Sequence, residues 1–181
     1  YDVGITVLEK FNDVSCGTTK ANSGIVHAGF DAKENTLKAK FNILGNAMFD
    51  DLAKELDFPF KRNGAMVLCF NKEDLPNLYE LYQRGVANNV DGLQTVTGDQ
   101  ARELEPNISK DVVAALLAKT SGIVSPYEMS VAYAENAAVN GCKFLFEKKV
   151  VSINKSEDMW QVKTQDGDVY SADYVINCAG V

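Results

Sequence analysis

A short β-branched run, Ile5-Thr-Val-Leu-Glu-Lys10, ends in a carboxylate, and close behind it comes Cys16-Gly-Thr-Thr-Lys-Ala-Asn-Ser-Gly-Ile-Val-His-Ala-Gly29. A buried strand that stops at Glu9 can offer that acid to the 2′- and 3′-hydroxyls of a nucleotide ribose, where dinucleotide-binding folds place one. The segment that follows gathers Gly17, Thr18, Thr19, Ser23, Gly24 and Gly29 around the only histidine, His27. Glycines let backbone N–H groups approach an anion, and hydroxyls add further donors. Strand, acid and loop together read as the second half of a nucleotide site. Each residue also has a plainer role. Glu9 can be a solvated residue at a strand end. His27, after the apolar pair Ile25 and Val26, can pack a loop through one hydrogen bond. In a chemical role His27 acts as a general acid or base, work that histidine performs more often than any other side chain.

The first half of such a site is not in the sequence. A Rossmann fold needs its glycine-rich turn about 20 residues before the ribose acid. Glu9 has eight residues before it, and no G-x-G-x-x-G occurs anywhere. The expectation is an internal fragment of a longer protein, cut before its phosphate loop.

Composition narrows the class. Of 181 residues, 46% are apolar and 24% charged, enough for a core in one domain or two small lobes. A net charge of −7 leaves no basic stripe for nucleic acid. Apolar runs such as Val112–Ala118 are too short to span a bilayer. The cysteines at 16, 69, 142 and 178 are widely spaced, with no C-x-x-C, which fits reduced structural thiols in a cytoplasmic protein. No acidic cluster has metal-ligand spacing, so no metal is expected.

Periodicity supplies the elements that must position these residues. Leu37, Phe41, Leu44, Met48, Leu52 and Leu56 mark one face of a helix, capped by Asn35 or Thr36 and ended by Phe58-Pro59. Gly45 inside it calls for a closely packed neighbour or ligand. Residues 60–70 read as a hairpin around Asn63-Gly64. Leu75, Leu78, Tyr79, Tyr82 and Val86 mark a second helix, and Thr97-Gly-Asp-Gln100 a capping box. Val112–Ala118 reads as a buried strand, and Ser125-Pro-Tyr-Glu128 opens a helix that Asn140-Gly141 closes. Beyond it the period drops to two, with strands over 143–147, 149–154 and 160–164, and a turn at Asp166-Gly167. Tyr174–Cys178, apolar on both faces, reads as a covered parallel strand in the same sheet as residues 5–10.

This arrangement resembles the D-amino-acid-oxidase-like superfamily of FAD-dependent oxidoreductases, nearest the branches that oxidise sn-glycerol 3-phosphate and L-2-hydroxyglutarate. The resemblance covers essentially the whole chain. It rests on Val7-Leu-Glu-Lys10, Asn22-Ser-Gly-Ile-Val-His-Ala-Gly29, Thr36-Leu-Lys-Ala-Lys40, Gly122-Ile-Val-Ser-Pro126 and Val175-Ile-Asn-Cys-Ala-Gly180. Phe30-Asp31, after the histidine block, departs from the hydroxyglutarate branch and puts glycerol 3-phosphate slightly ahead.

The resemblance implies a mixed α/β fold, with an incomplete Rossmann-like FAD lobe (1–57 and 122–181) and an inserted antiparallel cap lobe (58–121). It implies Glu9, with Lys10 beside it, at the adenosine ribose. Thr18, Thr19 and Ser23 then line the pyrophosphate, and Gly24, Ile25, Val26 and His27 pass beside the isoalloxazine. Val151 meets the adenine, and Ala179-Gly180 runs near the ADP moiety. His27 is the catalytic candidate. Lys61 and Arg62 either reach an anionic substrate from the cap or are solvated turn charges.

The activity implied is hydride transfer from a small anionic alcohol to flavin, with quinone or a protein as possible electron acceptor. Other readings are an amine-oxidising relative of glycine or sarcosine oxidase type, and a fragment without cofactor or activity of its own. Without a phosphate loop, these residues alone are expected to hold FAD weakly or not at all.

Overall fold

The computed structural model describes residues 3–180. They form two compact units, one running up to Ala21 and again from Ser130 onward, the other Asn22–Met129.

In the first unit, β1 (Thr6–Leu8) lies parallel to β8 (Lys143–Leu145), with Thr6 opposite Lys143. Strands β9 (Val150–Ser156), β10 (Met159–Thr164) and β11 (Val169–Ala172) form an antiparallel meander in the order β11-β10-β9. The second turn falls at Asp166-Gly167 as its sequence requires, Gly167 having φ +99°. Val162 and Thr164 are its buried residues. The run Tyr174–Cys178 departs from expectation: it forms no strand and shares no sheet with β1. A strand apolar on both faces needs cover and a pairing neighbour. Tyr174 and Ile176 are instead 88% and 85% exposed.

The second unit contains α1 (Leu37–Leu56), capped by Thr36, whose side chain accepts from the Ala39 N–H, and ended by Asp57 in the left-handed conformation. Two three-stranded antiparallel sheets follow. One has the order β2 (Ile25–Val26), β7 (Gly122–Val124), β3 (Phe60–Lys61). The other has the order β4 (Ala65–Cys69), β6 (Ala114–Ala118), β5 (Leu93–Thr97). Helix α2 (Leu75–Ala87) buries Leu78 with Cys69 and Leu116. A second cluster joins Ala28, Val90 and Ala118. The capping box forms as expected, with Thr97 and Gln100 exchanging side-chain bonds at the start of α3 (Gly98–Leu104). Helix α4 (Pro126–Val139) begins in this unit, the Ser125 hydroxyl accepting from the Glu128 N–H.

Three expectations change here. Residues 60–70 are not a hairpin, because β3 pairs with β7 while β4 pairs with β6. The pairs β3–β4 and β6–β7 instead form one long ribbon that breaks in the middle. Lys61 faces Ile123 and Ala65 faces Ala118, a slip of one residue across the break. Gly64 (φ +73°) serves that break, donating to the Ser121 carbonyl at 3.0 Å. The apolar stripe of α1 is not its buried face: Leu37, Phe41, Leu44 and Met48 are all at least half exposed, and the helix buries Ala39 and Asn46. A side chain at Gly45 would meet nothing within 4 Å, so no packed neighbour demands glycine there.

Central strand β7 tolerates no side chain at Gly122. An added Cβ would lie 2.6 Å from the Phe60 ring and 2.8 Å from the Lys61 carbonyl. Gly122→Ala is expected to destabilise the fold by about 1–3 kcal/mol through overpacking, read from the midpoint of equilibrium chemical unfolding.

Candidate functional site

Glu9 stands at the carboxyl end of β1, half-buried, the place at which open parallel sheets receive ligands. Its backbone is held from both sides: its N–H donates to the Leu145 carbonyl at 3.0 Å, and its carbonyl accepts from Lys148 N–H at 2.8 Å. One carboxylate oxygen accepts from the Phe11 N–H at 2.9 Å, which fixes the side chain and leaves the other oxygen open among the described residues. Lys10 is exposed and its ammonium lies 4.8 Å from the centre of the Phe11 ring.

Further along the same loop, Ser15 adopts a left-handed φ of +58°, and its buried hydroxyl has no hydrogen-bond partner among the described residues. Nothing in the residue types singles out Ser15; only its conformation does. Thr18 and Thr19 are exposed, and the Thr18 carbonyl closes a turn with the Ala21 N–H.

Val151 sits where the β9–β10 register slips: Ser152 faces Lys163 and Val150 faces Thr164, so Val151 is the extra residue of a bulge on an edge strand. A bulged residue leaves its backbone groups out of the ladder. Ala179 and Gly180 lie in an exposed turn, with the Ala179 N–H on the Asn177 side chain and Gly180 at φ +92°. An acid with one open oxygen, an orphaned buried hydroxyl and a bulged backbone are donor and acceptor chemistry that fits a nucleotide.

In the second unit, Ser23 is exposed and Gly24 is buried at φ +65°, where a Cβ would lie 2.3 Å from the Val124 carbonyl oxygen. Ile25 and Val26 pair with Ile123 and Gly122, so the chain enters His27 from a fixed strand. The His27 side chain is exposed, and its carbonyl accepts from the buried Asn46 side chain at 2.9 Å. Two residues on, the buried Asn88 side chain donates to the carbonyls of Gly29 and Ala32, at 2.9 and 2.7 Å. Asparagine at 46 and 88 carries no motif, and its role appears only once the loop is folded.

The basic pair splits. Arg62 is committed: it donates to Asp50, to the Asn46 side chain and backbone, and to the Thr120 carbonyl, and it covers the Phe60 ring. Lys61 is exposed beside a shallow cavity of about 320 Å³ that Phe60, Ile123 and Ser125 also line. Cys16 is half-buried and Cys178 exposed, so Cys178 is not a core thiol. Among the described residues no His, Cys, Asp and Glu cluster can hold a metal, and no helix is long and apolar enough to cross a membrane. Glu9, Lys10, Thr18, Thr19, Val151, Ala179 and Gly180 fall in one unit, and Ser23–His27 in the other.

Residues 2–181 match the family model described as FAD dependent oxidoreductase. The chain is 45% identical over its whole length to glycerol 3-phosphate dehydrogenase of Caloramator mitchellensis, covering 38% of that protein. It is 34% identical to glycerol 3-phosphate oxidase of Mycoplasma genitalium, over 87% of this chain and 42% of the relative. It is 31% identical to L-2-hydroxyglutarate dehydrogenase of Indibacter alkaliphilus, over 99% of this chain and 44% of the relative. The FAD-bound L-α-glycerophosphate oxidase of Mycoplasma pneumoniae superposes with a TM-score of 0.82 at 28% identity, over 89% of this chain and 43% of that one. The chain therefore belongs to the DAO family of FAD-dependent oxidoreductases. It spans about two-fifths of the length of these relatives.

Lys148 ties the meander to the Glu9 strand, since its ammonium bridges Asp166 and Asp168 while its N–H holds Glu9. Donation to Asp166 and then Asp168 raises the Lys148 pKa above its ordinary 10.5. The Lys148 bond, then that from Thr164, holds the Asp166 carboxyl down at about 2, below its ordinary 3.8. A depressed acid contributes stability above its ordinary pKa and loses it as the pH falls; a raised amine contributes below its ordinary pKa and loses it only in stronger alkali. Lys148→Met is therefore expected to lower the melting temperature by a constant amount from about pH 5 to 9. That deficit should shrink as the pH falls from about 4 towards 2, in melts followed by circular dichroism.

Proposed function

We propose that, in the whole enzyme, this chain binds the adenosine side of FAD and carries the substrate-facing loop of an sn-glycerol 3-phosphate dehydrogenase. The observation that carries this reading is the 45% identity to a glycerol 3-phosphate dehydrogenase across every residue, against 31% to an L-2-hydroxyglutarate dehydrogenase. FAD, when bound, supplies the two-electron acceptor for the hydride that leaves the carbinol carbon.

On this reading Glu9 accepts the ribose hydroxyls, with Lys10 at its flank, and Val151 offers its bulged backbone to the adenine. Thr18, Thr19 and Ser23 donate to the pyrophosphate, and Ala179-Gly180 passes the ADP moiety. Gly24, Ile25 and Val26 carry the backbone past the isoalloxazine, and His27 takes the hydroxyl proton of the substrate. The exposed ammonium of Lys61 is the member of the basic pair available to an anionic substrate, its neighbour being committed elsewhere. Residues 1–57 and 122–181 act as the cofactor lobe and 58–121 as the cap. Electrons pass on to a quinone or a protein acceptor. A cytoplasmic location, supported by four free thiols, belongs to the same proposal.

The two roles separate in kinetics. Glu9→Ala removes charge-assisted hydrogen bonds worth about 1.5–3 kcal/mol, so FAD should bind about 10- to 100-fold more weakly, with little change in turnover at saturating FAD. His27→Ala should keep its flavin and slow flavin reduction by about 10²–10⁴-fold. Stopped-flow reduction with glycerol 3-phosphate and with L-2-hydroxyglutarate measures both. Faster reduction of the native enzyme by hydroxyglutarate would reverse the substrate assignment.

A further inference from the structure

Arg62 and Asn46 satisfy each other and the His27 loop so completely that little freedom is left to either. The Asn46 amide spends both N–H bonds at 2.9 Å, one on the His27 carbonyl and one on the Thr120 carbonyl. Its side-chain oxygen accepts from Arg62 Nη1 at 2.9 Å, and its backbone carbonyl accepts from Nη2 at 2.7 Å. Arg62 Nη1 also reaches the Thr120 carbonyl, and Nε reaches Asp50 at 2.6 Å. The guanidinium rests 5.3 Å from the centre of the Phe60 ring. Asn46 is 9% exposed, and the Arg62 side chain 26%.

The cluster joins three places at which secondary structure gives out. Arg62 lies in the break between β3 and β4, Thr120 in the opposite break between β6 and β7, and His27 just past the end of β2. At each break a carbonyl or a turn lacks a ladder partner, and a buried carbonyl without one costs stability. A planar fork with five donors suits this geometry; a lysine ammonium can satisfy only part of it.

We propose that Arg62 and Asn46 are positioning residues for His27: a latch that holds its backbone, and so fixes the point from which the imidazole projects toward the substrate hydroxyl. The proposal rests on the reading above that His27 takes that proton. Arg62 belongs to the lobe assigned to the cap, whereas Asn46 and His27 belong to the cofactor lobe. All three nevertheless lie in one compact unit, Asn22–Met129, so the latch is built within a single folded body. Arg62 contributes through this geometry and does not touch the substrate anion.

The test uses the flavin-loaded whole enzyme with glycerol 3-phosphate, and the variants Asn46→Ala, Arg62→Lys and His27→Ala with the corresponding doubles. Asn46→Ala should lower the limiting rate of flavin reduction by about 10²-fold, the loss expected from misplacing a reacting group by about 1 Å. Arg62→Lys should lower it by less, since it keeps the charge beside Asp50. Should Asn46→Ala fail to fold, Arg62→Lys decides alone. Flavin content and the substrate dissociation constant should stay within about twofold of native, the scatter within which independent effects add. In the His27→Ala background either change should cost less than about twofold more, because the group being positioned is gone. Losses that add in full, or a loss seen in substrate affinity in place of rate, would overturn the latch while leaving His27 as the base. Reduction of His27→Ala at the native rate would overturn the base assignment, and the latch with it.

Discussion

Residues 24–32 form no helix and only a two-residue strand, so their carbonyls need partners from elsewhere, and the second unit is arranged around that constraint. Between Gly24 and Ala32 the chain passes two positive-φ glycines and holds only a two-residue strand. Its carbonyls are left to find partners elsewhere, and an unmet buried carbonyl costs about 1–3 kcal/mol. Two buried carboxamides supply the partners: Asn46 takes His27, and Asn88 takes Gly29 and Ala32. Helix α1, through Asn46, and the C-cap of α2, through Asn88, consequently act as brackets for the loop. The glycine at 29 follows from the same closeness, since a Cβ there would lie 2.5 Å from the tip of Ile43.

The first unit meets a related constraint by different means. Glu9 ends its strand on two backbone bonds, one of them donated by Lys148. The lysine is in turn anchored by Asp166 and Asp168 at the far turn of the meander. Burial first, and then donation to Asp168, raises the Tyr170 hydroxyl pKa, so the ion cluster is flanked by a group that stays protonated. An exposed ion pair by itself contributes little. Its value here lies in fixing which turn faces the Glu9 strand.

Much of this was legible in the residues, and the remainder failed for identifiable reasons. Caps carry their own signature, because a side chain and a backbone group three residues apart decide them locally. Thr36, the Thr97–Gln100 box and Ser125 all formed where expected. The Asp166-Gly167 turn formed for a similar reason, its geometry demanding a left-handed glycine. Asn63-Gly64 has the same dipeptide character and makes no hairpin, since the partner of each flanking strand lies more than forty residues away. Local chemistry chooses a turn, while long-range pairing chooses what the turn connects. Tyr174–Cys178 looks like a covered strand by composition, but composition does not supply the neighbour that pairing requires. Arg62 is the clearest case within the site. Residue type offers an anion-binding cation or a solvated turn charge, and neither reading foresees a guanidinium consumed by carbonyls and a carboxamide.

The division into units also separates the proposed tasks. The acid, the hydroxyl-bearing loop and the bulged strand proposed to meet the adenosine and pyrophosphate fall in the first unit, except Ser23. The strand and histidine proposed to meet the reacting carbon fall in the second. Interactions with the far end of a cofactor act equally in the ground and transition states, so they set affinity without setting rate. Interactions at the reacting atoms do the reverse. A rigid loop is the expensive component of such a design, because a proton acceptor must be held to within a fraction of an ångström. The Asn46 bond to the His27 carbonyl fixes the backbone from which the proposed proton acceptor projects. Such a bond occupies no ring nitrogen, so both remain for the role proposed for His27.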